Sequence, residues 1–350
     1  MKKIKFSNST NPGFFDYLKS EADRYFSEKK ISDKGNSYTY SKSIILCLSW
    51  IMIYVAIVNS SPPISFFLSL LLGFNSALLG FNVMHSGAHK SFSEYRWLNK
   101  LTAFSADLLG WSSFYWNKVH NIGHHTYPNL DGLDNDVNND PFLRQHPSQK
   151  WYWVHKFQHV YAFFLYSISS LIILVNDMRR YILDTIKNPR HMKSSEHLTY
   201  ILGKVLYFGI LIVIPSIFIG WQFALMNFLF MHIAIGTTLN AVFPLAHLVE
   251  EAEFPVIEGE EIENSFAIHQ VQTTCDFATR NPIVTWLLGG LNFQVEHHLF
   301  RQVNEAHYPA LQKIVKEACE KFGVTYHEYK TWIGALVSHF NHLRRMGNPI

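Results

Sequence analysis

Residues 116–136 have the sequence WNKVHNIGHHTYPNLDGLDND and contain His120, His124 and His125. On a helix the spacing i, i+4, i+5 lets all three imidazoles lean toward one side, with His124 and His125 roughly 100° apart around the axis. This arrangement can offer ligands to two neighbouring metal ions. A chance cluster on a solvated surface is the alternative for this segment alone, so its interpretation depends on the rest of the chain.

Two further histidine motifs lie on either side of this segment. HSGAH places His85 and His89 at i and i+4 on one helical face, which suits two ligands to one ion. QVEHH, residues 294–298, adds His297 and His298. Seven imidazoles are enough for two metal sites that keep open positions, and imidazole suits iron, copper or zinc. HxxxH by itself also occurs by chance, so the prediction depends on the three motifs together.

The composition indicates a membrane protein with large polar parts. Hydrophobic residues make up 48% of the 350 residues and charged residues 16%, against roughly 25% charged residues in typical soluble proteins. A net charge of +3 without a basic stripe argues against nucleic acid as a partner and leaves membrane lipid. The three cysteines have no CxxC spacing and predict neither a thiolate site nor a disulfide framework. No cleavable signal peptide is expected, since no apolar run follows the basic N-terminus.

Two long charge-free stretches predict four membrane spans arranged as two hairpins. Residues 43–84 contain no Asp, Glu, Lys or Arg and are interrupted at 59–63 by NSSPP. Residues 205–249 are also charge-free and divide near Gly220. Since roughly 20 apolar residues cross a bilayer, each stretch is long enough for two helices. The basic N-terminal segment predicts that both hairpins begin and end in the cytosol.

We therefore predict an all-α, multi-pass integral membrane protein in which residues 1–350 form a single domain. Its parts are a cytosolic N-terminal segment with one or two short amphipathic helices (1–42), a first hairpin (43–84), a cytosolic and interfacial region with two motifs (85–200), a second hairpin (201–247) and a cytosolic region with the third motif (248–350). The parts outside the hairpins would form a helical cap that holds a di-metal histidine site on the cytoplasmic face.

Residues 157–176 decide the number of crossings. They carry no charged side chain and are long enough to span. If they crossed, three crossings would separate the third motif from the first two, whereas an even number leaves all three motifs on one side. We therefore predict that this segment lies in the interface or re-enters, next to the aromatic residues 151–153. A crossing helix is the alternative.

The other histidines differ in their setting. His247 ends the fourth predicted span, as His85 ends the second, and is therefore a further candidate ligand. His232 lies near the middle of a predicted span, where we expect a packed, uncharged histidine rather than a ligand. The histidines without cluster spacing are expected on the surface or beside the ligands. They are His146, His155, His159, His191, His197, His269, His307, His327, His339 and His342.

Polar residues beside the motifs could orient the ligand rings by accepting the second ring N–H. Candidates near the second motif are Asn121, Asn129, Asp131, Asp134 and Asp136. A polar turn with Asx caps is the alternative for the same composition. Glu296, next to His297, could orient a ring in the same way or form a salt bridge.

The three motifs resemble the histidine boxes of the membrane-bound fatty acid desaturases. HSGAH, HNIGHH and QVEHH match those boxes in order, and FPLAHLVEEAEFP and GGLNFQVEHHLF extend the similarity over about residues 40–330. Gln294 at the head of the third box is similar to the acyl-lipid and front-end branch, described as linoleoyl-CoA-desaturase-like. The resemblance implies two iron ions that activate O₂ and remove two hydrogens from a fatty acyl chain to form a cis double bond. It implies no catalytic residue beyond the metal ligands.

One departure from the family concerns the electron supply. Many front-end desaturases carry a fused haem domain with a His-Pro-Gly-Gly loop, whereas the only His-Pro here is His146–Pro147, followed by Ser148. The resemblance therefore implies a separate donor, such as a ferredoxin or a haem carrier with its reductase. The acyl substrate could arrive as a CoA, carrier-protein or lipid ester. Gln294 also leaves one ligand position open, since its amide could bind weakly, hold a water or only form a hydrogen bond.

Two other functions stay open on the sequence alone. A fatty acyl or lipid hydroxylase on the same scaffold would return oxygen to the substrate carbon instead of removing a second hydrogen. A histidine-rich metal-binding membrane protein would need ligands along a transmembrane path, but only His232 lies deep in a predicted span.

Overall fold

The computed structural model describes residues 4–7, 11–256 and 261–349, which are mostly helical as predicted. The chain divides into two compact units. The histidine-rich unit comprises Met1–Gly35, Val119–Ala162 and Ala241–Ile350, and the apolar unit comprises Asn36–Lys118 and Phe163–Asn240.

The α-helices, in chain order, are α1 (Phe14–Lys29), α2 (Ser37–Val58), α3 (Pro62–Leu79), α4 (His85–Ala88), α5 (Arg96–Leu108), α6 (Ser113–Trp116), α7 (Gln158–Lys187), α8 (Ser194–Phe208), α9 (Ile214–Ile219), α10 (Trp221–Asn240), α11 (Phe243–His247), α12 (Phe266–Gln272), α13 (Pro282–Leu288), α14 (Gln294–Leu299), α15 (Tyr308–Phe322) and α16 (Trp332–Met346). π-Helices cover Gly80–Met84, Asn117–His124 and Gly209–Val213, and 3₁₀ turns cover Trp153–Phe157 and Glu305–His307. The strands are β1 (Lys5–Phe6), β2 (Glu261–Ile262), β3 (Asp276–Phe277) and β4 (Glu328–Tyr329).

Five helical stretches of the described residues are long and apolar enough to cross a membrane, as in an integral membrane protein. They are Ser37–Val58, Pro62–Ala88, Trp153–Lys187, Ser194–Ile219 and Trp221–His247. The number exceeds the four predicted spans by one. The additional stretch contains α7, which is longer than the segment 157–176 considered from the sequence.

Within the apolar unit, α3 packs closely against α10 because Gly73 has no side chain. A Cβ atom on Gly73 would lie 2.2 Å from the carbonyl oxygen of Met231 and 2.8 Å from the Cβ atom of Ala234. α2 joins this pair through a polar contact, since Trp50 Nε1 donates to Ser76 Oγ at 2.9 Å. Interfaces of small residues and internal hydrogen bonds are typical of helices packed inside a membrane.

α7 contacts the halves of α8 and α10 that lie away from Gly220, the turn between α9 and α10. Its first half meets α10 at Gly236, where an added Cβ atom would lie 2.6 Å from the carbonyl oxygen of Ser167. In its second half, Tyr181 stacks on Tyr200 of α8 with ring centroids 4.0 Å apart. Both halves of α7 therefore contact the parts of α8 and α10 that lie away from the turn at Gly220.

In the histidine-rich unit, α14 carries the third motif through the core. Val295 is fully buried in a cluster that includes Phe14 and Leu18 of α1, Val271 of α12 and Val315 of α15. α1 is thus an N-terminal helix with an apolar face, as predicted for residues 1–42. Packing on three sides leaves α14 little freedom to move, which fixes the positions of its histidines.

Two short parallel strand pairs join segments that are distant in the chain. β1 pairs with β2, and β3 pairs with β4. The second pair brings Asp276 to the start of α14, where its Oδ1 accepts the backbone N–H of Val295 at 3.0 Å. The carboxylate therefore caps the helix that carries His297 and His298.

Candidate metal centre

The second motif lies on a π-helix rather than on the α-helix that its spacing predicted. Asn117–His124 is π-helical, and the backbone N–H of His125 donates to the carbonyl oxygen of His120 at 3.0 Å. This i to i+5 bond widens the turn, so that residues five apart lie on the same side of the helix. The Nε2 atoms of His120 and His125 consequently lie 3.1 Å from each other. Single π-helical turns are frequent at functional sites.

One group of rings in the histidine-rich unit consists of His120, His125 and His297. A ring nitrogen of each lies within 4.8 Å of those of the other two. The ring centroids of His125 and His297 are 4.6 Å apart, and all three residues are buried. Three converging imidazoles are a suitable partial ligand set for a transition metal.

A second group consists of His124, His247 and His298, again with ring nitrogens within 4.8 Å of one another. The ring centroid of His124 lies 4.5 Å from that of His247 and 4.9 Å from that of His298. His247 is the last residue of α11. Its ring lies beside those of two motif histidines, His124 and His298. Ligand atoms of a third combination, His120, His124 and Asp136, also lie within 4.8 Å of one another.

The Nδ1 atoms of two rings in the second group are directed at hydrogen-bond acceptors. His124 Nδ1 lies 3.1 Å from Asp134 Oδ2, and His298 Nδ1 lies 2.8 Å from Gln270 Oε1. A proton on Nδ1 leaves the Nε2 lone pair for a metal ion. Nε2 of His124 is buried and has no hydrogen-bond partner among the described residues. A bound cation fits this site because it would supply the missing partner.

The other rings are held by a carbonyl group and a tyrosine. His247 Nδ1 lies 3.2 Å from the carbonyl oxygen of Thr273, and His297 Nδ1 lies 3.1 Å from Tyr308 Oη. The side-chain amide of Asn129 donates to the carbonyl oxygens of His247 and Thr273, at 3.0 Å and 3.2 Å. Asn129 therefore fixes the backbone around His247, which is a different contact from the predicted one to a ring.

Charge near His124 opposes the effect of its burial. Burial alone would lower the pKa of His124, but the carboxylates of Asp134 and Asp136 raise it to about 9. Burial would likewise raise the pKa of Asp134, but its ion pair with His124 lowers it. The Asp134 carboxylate therefore provides a buried negative charge that balances either a proton on His124 or a metal ion bound to it.

The remaining residues predicted near the second motif have varied settings. Asp136 is 47% exposed at its side chain, and its Oδ2 lies 3.4 Å from His124 Nδ1. Asp131 accepts hydrogen bonds from the side chains at 148 and 149, away from the rings. The carbonyl oxygen of Asn121 accepts a hydrogen bond from Arg301 at 3.2 Å. The proposed role of the Asn121 side chain stays a prediction.

Gln294 and Glu296 of the third motif point to different neighbours. Gln294 Nε2 lies 3.0 Å from Nε2 of His247, beside the second group. Glu296 Oε1 accepts the hydroxyl of Tyr326 at 3.1 Å within a buried cluster that includes Asp276, and its proposed role beside the rings stays a prediction. Burial and the neighbouring Asp276 hold the pKa of Glu296 well above its usual range.

Several of the other histidines, which were predicted to lie on the surface or beside the ligands, are buried. The side chains of His146, His155, His269, His339 and His342 are at most 1% exposed. Most of them bond to backbone carbonyl groups, as His155 does to Pro141 at 2.9 Å and His339 to Leu248 at 2.7 Å. They satisfy loop carbonyls in the interior instead of facing solvent.

Sequence reasoning missed three residues that contact the rings of the candidate ligands, namely Gln270, Thr273 and Tyr308. They lie 28, 26 and 11 positions from the histidines that they contact. No spacing in the sequence connects them with a motif, so only the tertiary contacts identify them.

In the apolar unit, the first motif follows the π-helix Gly80–Met84 and forms a compact aromatic cluster. The ring centroids of His85 and His89 are 4.5 Å apart, and that of Trp116 lies 5.8 Å from each. The two rings thus share one side of their turn, as the i, i+4 spacing predicted.

His232, also in the apolar unit, is packed as expected. Ser170 Oγ lies 2.9 Å from its Nδ1, and Tyr207 Oη lies 2.5 Å from its Nε2. Both ring nitrogens are therefore engaged by hydroxyl groups.

Comparison with known proteins adds a second line of observation. The family model described as "Fatty acid desaturase" matches residues 61–330. The sn-1 linoleoyl-lipid 6-desaturase of Arthrospira platensis is 33% identical over 359 aligned residues, which cover 99% of this chain and 96% of that protein. The protein of the same name from a Synechocystis species is 32% identical, with coverage of 99% and 98%. The acyl-lipid (8-3)-desaturase of Physcomitrium patens is 33% identical, with coverage of 98% and 74%.

Proposed function

The chain belongs to the fatty acid desaturase family and is a fatty acyl desaturase, and from this premise we propose that it forms a cis double bond in an acyl chain of a membrane lipid, using two irons held by its histidines. The predicted family and the predicted oxidoreductase activity are thereby confirmed. The choice of a lipid-linked chain over a CoA or carrier-protein ester rests on the similar proteins, which are linoleoyl-lipid and acyl-lipid desaturases. The observation that carries the proposal of two irons is the arrangement of buried imidazoles in two groups.

We assign His124, His247 and His298 to one iron, and the other group to the second iron. That second iron would be bound by His120, His125 and His297, and His85 and His89 of the first motif would complete its ligand set. For His85 and His89 the support is their i, i+4 spacing and the match of HSGAH to the first box of the family. Gln294 lies beside His247 and would hydrogen-bond to a water or bind weakly, while Asn121 and Asp136 would orient ligand rings.

Two irons held by these histidines would supply the O₂ chemistry by which the acyl chain loses two hydrogens. The protein itself sets the direction of each ring. Asp134 and Gln270 are placed to accept Nδ1–H, which directs Nε2 of His124 and His298 into the centre. Burial of the rings keeps water away from the centre.

The function is tested by expressing the chain in a host that has only simple saturated and monounsaturated fatty acids. We expect a new double bond in extracted lipids, located by mass spectrometry, together with iron in the purified protein. A product that has gained an oxygen atom would identify a hydroxylase instead. Active protein that contains no iron would contradict the assignment of the metal.

We also propose four membrane crossings with the metal centre on the cytoplasmic face. α7 would lie along the interface. Its contacts with the same halves of α8 and α10 support this topology. Single cysteines at Lys156 and Lys187, in a protein without native cysteines, should both react with an impermeant maleimide from the cytosolic side. Reaction of one of them from the opposite side would show that α7 crosses.

Electrons would come from a separate donor, a ferredoxin or a haem carrier with its reductase. The purified protein in lipid nanodiscs should turn over only when such a donor is added with its reductant. Turnover with the reductant alone would contradict this part of the proposal.

A further inference from the structure

The second half of α7 and the loop after it carry a strip of exposed cations. The strip comprises Arg179, Arg180, Lys187, Arg190 and Lys193, all solvent-exposed. Acidic neighbours are few and already engaged. Asp177 is buried and accepts the backbone N–H of Ser112, and Asp184 accepts the hydroxyl of Tyr115. Glu196 accepts the backbone N–H of Lys193. The strip therefore keeps a net positive charge at its surface.

The same half of α7 also exposes an apolar stripe. Val175, Ile182 and Ile186 are 61%, 54% and 74% exposed. At about 100° per residue, these three side chains fall within roughly 40° of arc, and Arg180 and Lys187 lie roughly 130° farther around the helix. The remaining side packs on the protein. A helix with an apolar stripe and a cationic edge has the pattern of an element that lies in the membrane interface.

The loop that follows is held in a defined conformation by two histidines. His197 Nδ1 lies 3.0 Å from Tyr181 Oη, and its Nε2 lies 3.1 Å from the carbonyl oxygen of Pro189. His191 Nδ1 lies 3.0 Å from the carbonyl oxygen of Asn188. These contacts tie the loop backbone at Asn188 and Pro189 to the two rings and to α7. The loop that carries Arg190 and Lys193 is thereby held next to the end of α7.

We propose that this basic strip binds the phosphate-bearing headgroups of anionic phospholipids in the cytoplasmic leaflet. The inference rests on the proposed topology, in which α7 lies along that leaflet. Arginine and lysine supply hydrogen-bond donors for phosphate oxygens. The adjacent apolar stripe would contact the acyl chains of the same lipid molecules. A free phosphate ion would use the cations but leave the apolar stripe exposed, so a lipid is the occupant that fits both features.

The strip is tested with the full-length protein in neutral detergent, titrated with short-chain phosphatidylglycerol or phosphatidylcholine. The shift in melting temperature gives an apparent affinity for each lipid. We expect preference for phosphatidylglycerol, reduced in R180Q/K187Q/R190Q by about five-fold per cation removed. The matched control K313Q/K330Q/R344Q removes three exposed cations of the histidine-rich unit and should retain wild-type affinity.

Three outcomes would overturn the proposal. They are equal affinity for the two lipids, equal losses in the test and control variants, and displacement of phosphatidylglycerol by an equal concentration of inorganic phosphate. Because the measurement needs neither iron nor turnover, its failure is separate from failure of the desaturase assignment. Maleimide labelling at position 187 from the opposite side of the membrane would also contradict the proposal, because the strip would then not face the cytoplasmic leaflet.

Discussion

His124 and His232 are both buried histidines, but their two ring nitrogens are used differently. In the candidate metal centre, His124 Nδ1 lies 3.1 Å from Asp134 Oδ2, while its Nε2 has no hydrogen-bond partner among the described residues. In the apolar unit, both nitrogens of His232 bond to hydroxyl groups. His124 therefore keeps one ring nitrogen available for a metal ion, whereas both ring nitrogens of His232 are occupied by hydroxyl groups. Burial alone does not distinguish the two.

The comparison is tested most strongly by His124→Ala. We expect desaturase activity to fall by more than the roughly 100-fold that the loss of an orienting partner produces, together with a loss of bound iron. Iron analysis and product mass spectrometry on the purified variant measure both effects, and size-exclusion chromatography checks that the variant is folded. Full activity with His124→Ala would end the assignment of this ring as a ligand.

Asp134→Asn should give the next largest effect. The amide keeps the size of the carboxylate but removes the charge that balances the metal and orients His124. We expect iron affinity to fall by about 10–100-fold, measured by competition with a chelator. Asp131→Asn is the matched control, since Asp131 bonds to the side chains at 148 and 149. Equal losses in both variants would argue against a specific role of Asp134.

His232→Leu should affect stability rather than the metal. The substitution leaves Tyr207 Oη without its partner inside the apolar unit, which costs about 1–3 kcal/mol. We expect a lower melting temperature with an unchanged iron content per folded molecule. If this variant lost iron while keeping its stability, the distinction between the two histidines would be wrong.

The smallest expected effect is a pH dependence of the iron-free protein. The pKa of His124 is raised from 6.5 to about 9, so the pair with Asp134 contributes stability that is fully present below pH 6.5 and is lost as pH rises through about 9. The difference in melting temperature between wild type and Asp134→Asn should therefore shrink over this range. A difference that is constant with pH would show that His124 is not protonated in the iron-free protein.

The parts of the site that were predictable are those encoded by local spacing. His85 and His89 share one side of a turn because they are four residues apart, and the apolar runs are long enough to form membrane-length helices. The π-helical turn at His120 was not predictable, because an inserted residue in a helical turn has no signal in the spacing itself. The burial of His155 and His339 was not predictable, because a lone histidine has the same sequence context whether it bonds to solvent or to a buried carbonyl.

By itself, the sequence determined a helical membrane protein with three histidine motifs, because helical spacing and hydropathy follow directly from the order of residues. The resemblance of those motifs to known histidine boxes added the desaturase family. The tertiary structure alone decided which nitrogen of each ring is held and by which partner. Asn129 and His247, for example, are 118 positions apart and meet through one hydrogen bond. Contacts of this kind depend on how the helices pack around α14, and packing is a property of the whole chain rather than of any motif in it.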